Sequence, residues 1–204
     1  YSAAAASGAS ALVYQVVWTR LLTRQLGHST ASIATVLGVF MAGLAIGSAL
    51  ATRWLPRLRN PFRAYFAVEL AIALAAQLVP SLASLAEPLL LATYANGEGA
   101  LFSACRVLAT AARLHLHAVL MGAALPLLAE GLSRGREQLG RRLGSLYAAN
   151  TLGASIGAVL GGFVLLPTMG LSRTVLSAAV GNACAAALAI GARPSSPPAP
   201  APPP

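Results

Sequence analysis

The sequence predicts an all-α fold: a polytopic bundle of about six membrane-spanning helices. Three observations predict it. Of 204 residues, 57% are hydrophobic and 9% are charged, and the mean hydropathy is +0.71, an apolar load that the surface of a water-soluble domain does not carry. The apolar residues fall into stretches of roughly 20, the length that a helix rising 1.5 Å per residue needs to cross a bilayer. The charges gather between these stretches and all but vanish within them.

The predicted spans lie at about 4–23, 31–52, 64–85, 108–130, 145–167 and 171–192. The first, SAAAASGASALVYQVVWTRLL, is rich in Ala and Ser, is the least hydrophobic, and is expected to insert only beside partner helices. Residues 86–107 hold Pro88, Asn96, Gly97, Glu98 and Arg106, so they read as a partly helical connection at the membrane interface. Residues 1–192 form the transmembrane domain on this reading, and 193–204, RPSSPPAPAPPP, a proline-rich cytoplasmic tail or linker of extended, polyproline-like backbone. The chain opens at Tyr1 with no basic segment ahead of an apolar core, so residue 1 reads as a processed or truncated start and not as a signal peptide.

Charge sets the orientation. The 14 basic residues are all Arg and the five acids are all Glu, for a net charge of +9. Arg53, Arg57, Arg59 and Arg63 follow the second span, and Arg134, Arg136, Arg141 and Arg142 follow the fourth. These loops share one side, which the positive-inside rule makes cytoplasmic, together with both termini. Trp54, Tyr65 and Tyr147 then fall at inner boundaries, and Trp18 and Tyr94 at outer ones, where amphipathic rings settle. The positive charge is too sparse and interrupted for a nucleic-acid footprint.

Small residues mark where helices should touch. Gly153, Gly157 and Gly161 share one face of the fifth span, and Gly43 and Gly47 share a face of the second. In lipid, where no hydrophobic force drives helices together, such rows permit close backbone approach. Residues 34–50 overlay 149–165, with Gly38 on Gly153 and Gly47 on Gly162, which suggests a three-plus-three repeat.

Glu69 is the acid deepest within an apolar run, and an ionisable group there is costly enough to suggest a role. It and Asn150 lie about six residues in from the inner boundary, roughly 9 Å deep, so they are expected to meet. With Tyr147 they form either a small binding site, within reach of Arg53 and Arg142, or a polar clasp between spans three and five. Gln15 and Tyr14 form a second polar pair in span one. His115 and His117 point to different faces of one helix and cannot share a metal, and His28 stands alone in a loop. Cys105 and Cys184 lack metal or redox spacing. No catalytic constellation, metal or cofactor is expected.

The strings SGASALVYQVVWTRLL (7–22), STASIATVLGVFMAGLAIGSALA (29–51), AYFAVELAIALAA (64–76), LMGAALPLLAEGL (120–132) and GRRLGSLYAANTLGASIGAVLGGFVLLPTMGL (140–171) resemble the membrane domain of bacterial fused MFS/spermidine synthase-like proteins. The resemblance covers nearly all of residues 7–190. It implies an MFS-like membrane module, often continued in that family by a cytoplasmic aminopropyltransferase-like domain, which would begin where the proline-rich tail stands. The family's first helix usually carries Glu where this chain has Gln15, and an Asp-containing motif where it reads ATRWLPRLRNP; both departures remove acids that ion-coupled transport would use. The nucleotide-type Gly loop and paired Asp residues of the aminopropyltransferase domain are not among these residues.

Together these readings give a non-enzymatic integral protein of the bacterial inner membrane. It would be a structural or accessory subunit that packs against other membrane proteins, or itself, through Gly/Ala-rich helices. Two alternatives stay open: a transporter-like module binding a small solute such as a polyamine near Glu69 and Asn150, and a membrane anchor for a spermidine synthase-like domain beyond Pro204.

Overall fold

In a computed structural model, residues 1–26, 29–94, 99–132 and 139–191 are described, and among them every regular element is helical. The helices are α1 (Ser2–Leu26), α2 (Thr30–Trp54), α3 (Pro61–Tyr94), α4 (Ala100–Leu132), α5 (Leu139–Leu160) and α6 (Leu166–Gly191). His28, residues 96–98, Arg134, Arg136 and residues 193–204 lie outside the described residues, as do the side chains of Glu87 and Tyr94.

Local chemistry explains the boundaries. Ser29 caps α2 by accepting the Ser32 N–H at 3.2 Å. Pro56 sits in the short turn Leu55–Arg57 that ends α2. Asn60 Oδ1 accepts the Arg63 N–H at 3.2 Å, and Pro61, with no N–H to lose, opens α3.

The helices extend further than expected. Within the interval 86–107, read as a partly helical connection, α3 runs through Pro80 and Pro88 to Tyr94, and α4 starts at Ala100. Proline inside an otherwise strong helical sequence kinks the helix without ending it, and Pro88 is exposed. Among the described residues the backbone forms five helical runs where six spans are expected, and the last run, 139–191, is divided by a kink at Gly170. A π-turn at Gly161–Leu165 joins α5 to α6 with no loop between them. The break that the sequence spreads over several residues is confined to Gly170, whose φ of 74° suits a residue without Cβ.

The packing order is α2 on α4, α4 on α3, α3 on α6, α6 on α1 and α1 on α5. Exchanging α1 with α4, α2 with α5 and α3 with α6 maps this order onto itself. The outer pairs are glycine seams. A Cβ on Gly47 would overlap the Val119 carbonyl oxygen of α4, and one on Gly122 would overlap that of Leu44 on α2. Gly153 and Gly157 lie against the Ala5 and Ala9 carbonyls of α1, and Gly161 against Val13; Gly43 meets Ala118.

The core holds four of the large aromatic residues. Trp18, Tyr14, Tyr65 and Phe40 are at most 1% exposed. Trp18 and Tyr65, which boundary counting places near the ends of their spans, face neighbouring helices, because α1 and α3 lie inside the array. Large aliphatic residues point outwards, as do the aromatics Phe163, Tyr147, Trp54 and Tyr1: Phe163 is 81% exposed, Leu85 75%, Leu74 71% and Leu108 68%. This inverts the arrangement of a water-soluble bundle. Among the described residues, four helical stretches, within 30–57, 61–82, 102–132 and 140–191, are long and apolar enough to cross a membrane. The Ala/Ser-rich α1 is not among them, and it is clasped by α5 and α6.

Candidate functional site

The α1·α5 and α2·α4 pairs, with α3 and α6, line a half-open cavity of about 590 Å3. Most of its wall is apolar, with Phe40, Met41, Leu44 and Ile72 on one side. Its polar residues converge from five helices: Ser7 and Gln15 on α1, Ser48 on α2, Tyr65 on α3, Tyr147 and Asn150 on α5, and Asn182 on α6.

Glu69 is fully buried beside this wall. Asn182 Nδ2 donates to its Oε2 at 2.5 Å, and the hydroxyls of Ser7 and Tyr65 lie close to the carboxyl group. Tyr65 Oη donates to the Ala3 carbonyl at 3.3 Å. Glu69 Oε1 and Asn182 Oδ1 are buried without a hydrogen-bond partner. Such orphaned acceptors are expensive in a low-dielectric interior.

The expected pairing of Glu69 with Asn150 is corrected here. Glu69 faces α6 and bonds Asn182, so the clasp joins α3 to α6 and not α3 to α5. Asn150 instead lies on Gly8 of α1, where the missing Cβ lets the two backbones close. Tyr147 lines the cavity and is 64% exposed. Gln15 lines this cavity and a second one of about 780 Å3 bordered by Thr19, Arg20 and Pro167. Neither Arg53 nor Arg142 lines the first cavity. Tyr14 and Gln15 diverge: Tyr14 is fully buried, stacked on Trp18 at 5.9 Å and edge-on to His117 at 4.8 Å.

Asn182 is the residue that sequence reasoning missed. Its one sequence signal is an amide within the Ala-rich stretch AVGNACAAALA, 113 residues after Glu69 and so near the 115-residue repeat offset. His117, with both ring nitrogens buried and unpartnered, joins the same interior through Tyr14. Among the described residues no group of three or more His, Cys, Asp or Glu residues is placed to hold a metal ion. The arrangement can hold a ligand and orient a carboxyl group.

The chain is similar to polyamine aminopropyltransferases. It is 34% identical over 189 residues to polyamine aminopropyltransferase 2 of Streptomyces coelicolor, covering 90% of this chain and 32% of that protein. It is 33% identical over 182 residues to the polyamine aminopropyltransferase of Corynebacterium efficiens, covering 87% of this chain and 32% of the relative. With that of Mycobacterium tuberculosis the identity is 30% over 189 residues, covering 91% and 34%. No family model and no solved structure matches. The chain thus spans about a third of the length of the curated relatives it matches. Those relatives are named as enzymes, which overturns the expectation of a non-enzymatic accessory subunit and, with it, of an MFS-like transporter module. The similarity links this chain to spermidine synthase-like proteins over about nine-tenths of its length.

Proposed function

We propose that the chain is the bilayer-spanning helical part of a polyamine aminopropyltransferase. The membrane half of this reading is carried by the outward-facing apolar surface, typified by Leu74, Leu108 and Phe163. Water around these side chains would waste the hydrophobic free energy that burial normally supplies, about 25 cal/mol for each Å2. The enzyme half is supported by relatives that carry the name polyamine aminopropyltransferase and match about 90% of this chain.

The packing order supports a three-plus-three repeat. An odd number of helices per unit inverts one unit relative to the other, and the α3·α6 contact lies where the units meet. In this reading the Arg53, Arg57, Arg59 and Arg63 cluster faces the cytoplasm. Trp54, with Arg57 5.4 Å from its ring centre, sits at the interface.

The test is to express the complete reading frame that contains this chain, wash the membranes with alkaline carbonate, and assay the pellet for aminopropyl transfer to a polyamine acceptor. The protein and the activity should both remain in the pellet. Release by carbonate would overturn the membrane half, and a retained but inactive protein would overturn the enzyme half.

A further inference from the structure

We infer that the second cavity, a groove between α1 and the junction of α5 with α6, seats a phospholipid with an anionic headgroup. Its phosphate would lie on Arg20 and Arg24, and one acyl chain would lie along the apolar floor. The inference rests on the bilayer half of the proposed function and does not require the enzymatic half.

The groove opens because a seam ends. A Cβ on Gly153 or Gly157 would overlap a carbonyl oxygen of α1, whereas one on Gly161 would stand 3.3 Å from the nearest atom of Val13, and one on Gly162 would meet only Val16 Cγ1, at 3.8 Å. The two helices therefore splay apart towards the π-turn, and Gly162 puts no side chain into the gap. What results is a hollow of about 780 Å3, within the roughly 300–1,000 Å3 that ligand sites span. Leu12, Val16, Ile33 and Leu166 make its floor apolar, and Ile33 is 47% exposed.

The rim is cationic. Arg20 lines the groove, and Arg24, also exposed, follows one turn later on the same face of α1. The hydroxyls of Thr19 and Thr23 spend their hydrogens on the carbonyls of Gln15 and Thr19, at 2.8 and 2.7 Å, so the N–H donors at that end of the groove belong to arginine. Guanidinium groups match phosphate oxygens in pairs. Among the described residues no acidic side chain lines the groove, and a zwitterionic headgroup would set its own cation against two arginines.

Depth agrees with this order. Arg20 lies six residues before the end of α1 at Leu26, roughly 9 Å along the axis, so its long side chain reaches towards the headgroup layer. Val16 and Leu12 lie one and two turns deeper on the same helix. Charge at the rim with aliphatic floor beneath it is the sequence of a phospholipid read from headgroup to tail.

The test reconstitutes the full chain in nanodiscs of equal parts phosphatidylglycerol and phosphatidylcholine, and counts retained lipid by native mass spectrometry. Phosphatidylglycerol should be retained over phosphatidylcholine by about tenfold. Arg20→Gln combined with Arg24→Gln should bring the two to parity. Gly162→Leu keeps both guanidinium groups but extends a side chain into the groove, and should cut retained phosphatidylglycerol at least fivefold, while Gly162→Ala, too short to fill the groove, should retain it as the unsubstituted chain does.

Equal retention of the two lipids, or a preference that survives loss of both arginines, would overturn the inference. So would unchanged retention by Gly162→Leu, which would mean that the arginines only reach the general headgroup layer, or equal loss in Gly162→Ala, which would trace the effect to the backbone. A chain released from membranes by carbonate fails the bilayer reading; a chain that stays and shows no such lipid preference fails this inference alone.

Discussion

The outer seams and the central seam of this bundle are held by opposite means. At α1·α5 and α2·α4 there is almost nothing between the backbones: Gly47 meets the Val119 carbonyl and Gly157 that of Ala9. At α3·α6 the contact is a buried carboxyl group and an amide, with one unpartnered oxygen on each. Close-packed small residues gain dispersion contacts over a whole face and tolerate no added atom. A polar pair gains one strong bond but leaves its spare lone pairs exposed to a low dielectric. The first is a structural solution, and the second carries a cost.

The contrast can be broken at either seam. The largest effect should come from Gly157→Leu, which forces α5 away from α1 and should cost about 3 kcal/mol of unfolding free energy in mixed micelles. A Cβ added at Gly38 would meet nothing within 4 Å, so Gly38→Leu should stay within about 0.5 kcal/mol. Similar losses at both positions would mean the seams are not close-packed.

Next in size is Asn182→Leu, which strips Glu69 of its donor and should cost about 2 kcal/mol. Glu69→Leu combined with Asn182→Leu should cost less than the sum of the single changes, because removing both partners leaves no orphan; the coupling should be about 1–2 kcal/mol. Strict additivity in that cycle would deny the clasp. The smallest effect is expected at His117→Leu. Its ring nitrogens are buried and unpartnered, so lost edge-on contacts with Tyr14 and Trp18 are offset by the removal of orphaned polar atoms, and stability should move by less than about 1 kcal/mol in either direction. A loss above about 3 kcal/mol would show that His117 has a polar partner.

What could be read from the sequence follows from which interactions are periodic. Helix content is legible because apolar runs and Arg clusters repeat on the scale of a span. The small-residue rows are legible because spacing alone places Gly153, Gly157 and Gly161 on one face. Glu69 stands out because acids are scarce, but its partner does not: depth counting ranks Asn150 and cannot say which helix α3 touches. That choice is made by tertiary packing, which puts Asn182 opposite Glu69 and Asn150 against Gly8. Trp18 and Tyr65 mislead for the same reason, since a position near the end of a span says nothing about whether the ring points to lipid or to a neighbour. The extent of α3 is hidden by Pro88, which local chemistry reads as a break and the helix absorbs.

The central claim is that hydrocarbon surrounds these helices, and cysteine labelling in sealed vesicles tests it most directly. With Cys105 and Cys184 replaced, single cysteines at Leu74, Leu108 and Phe163 should resist a membrane-impermeant maleimide, although these positions are 71%, 68% and 81% exposed on the isolated chain. Arg57→Cys should react from one face of the membrane alone. Rapid labelling at all three apolar positions would mean that water wets the flank of the bundle, and would contradict the account.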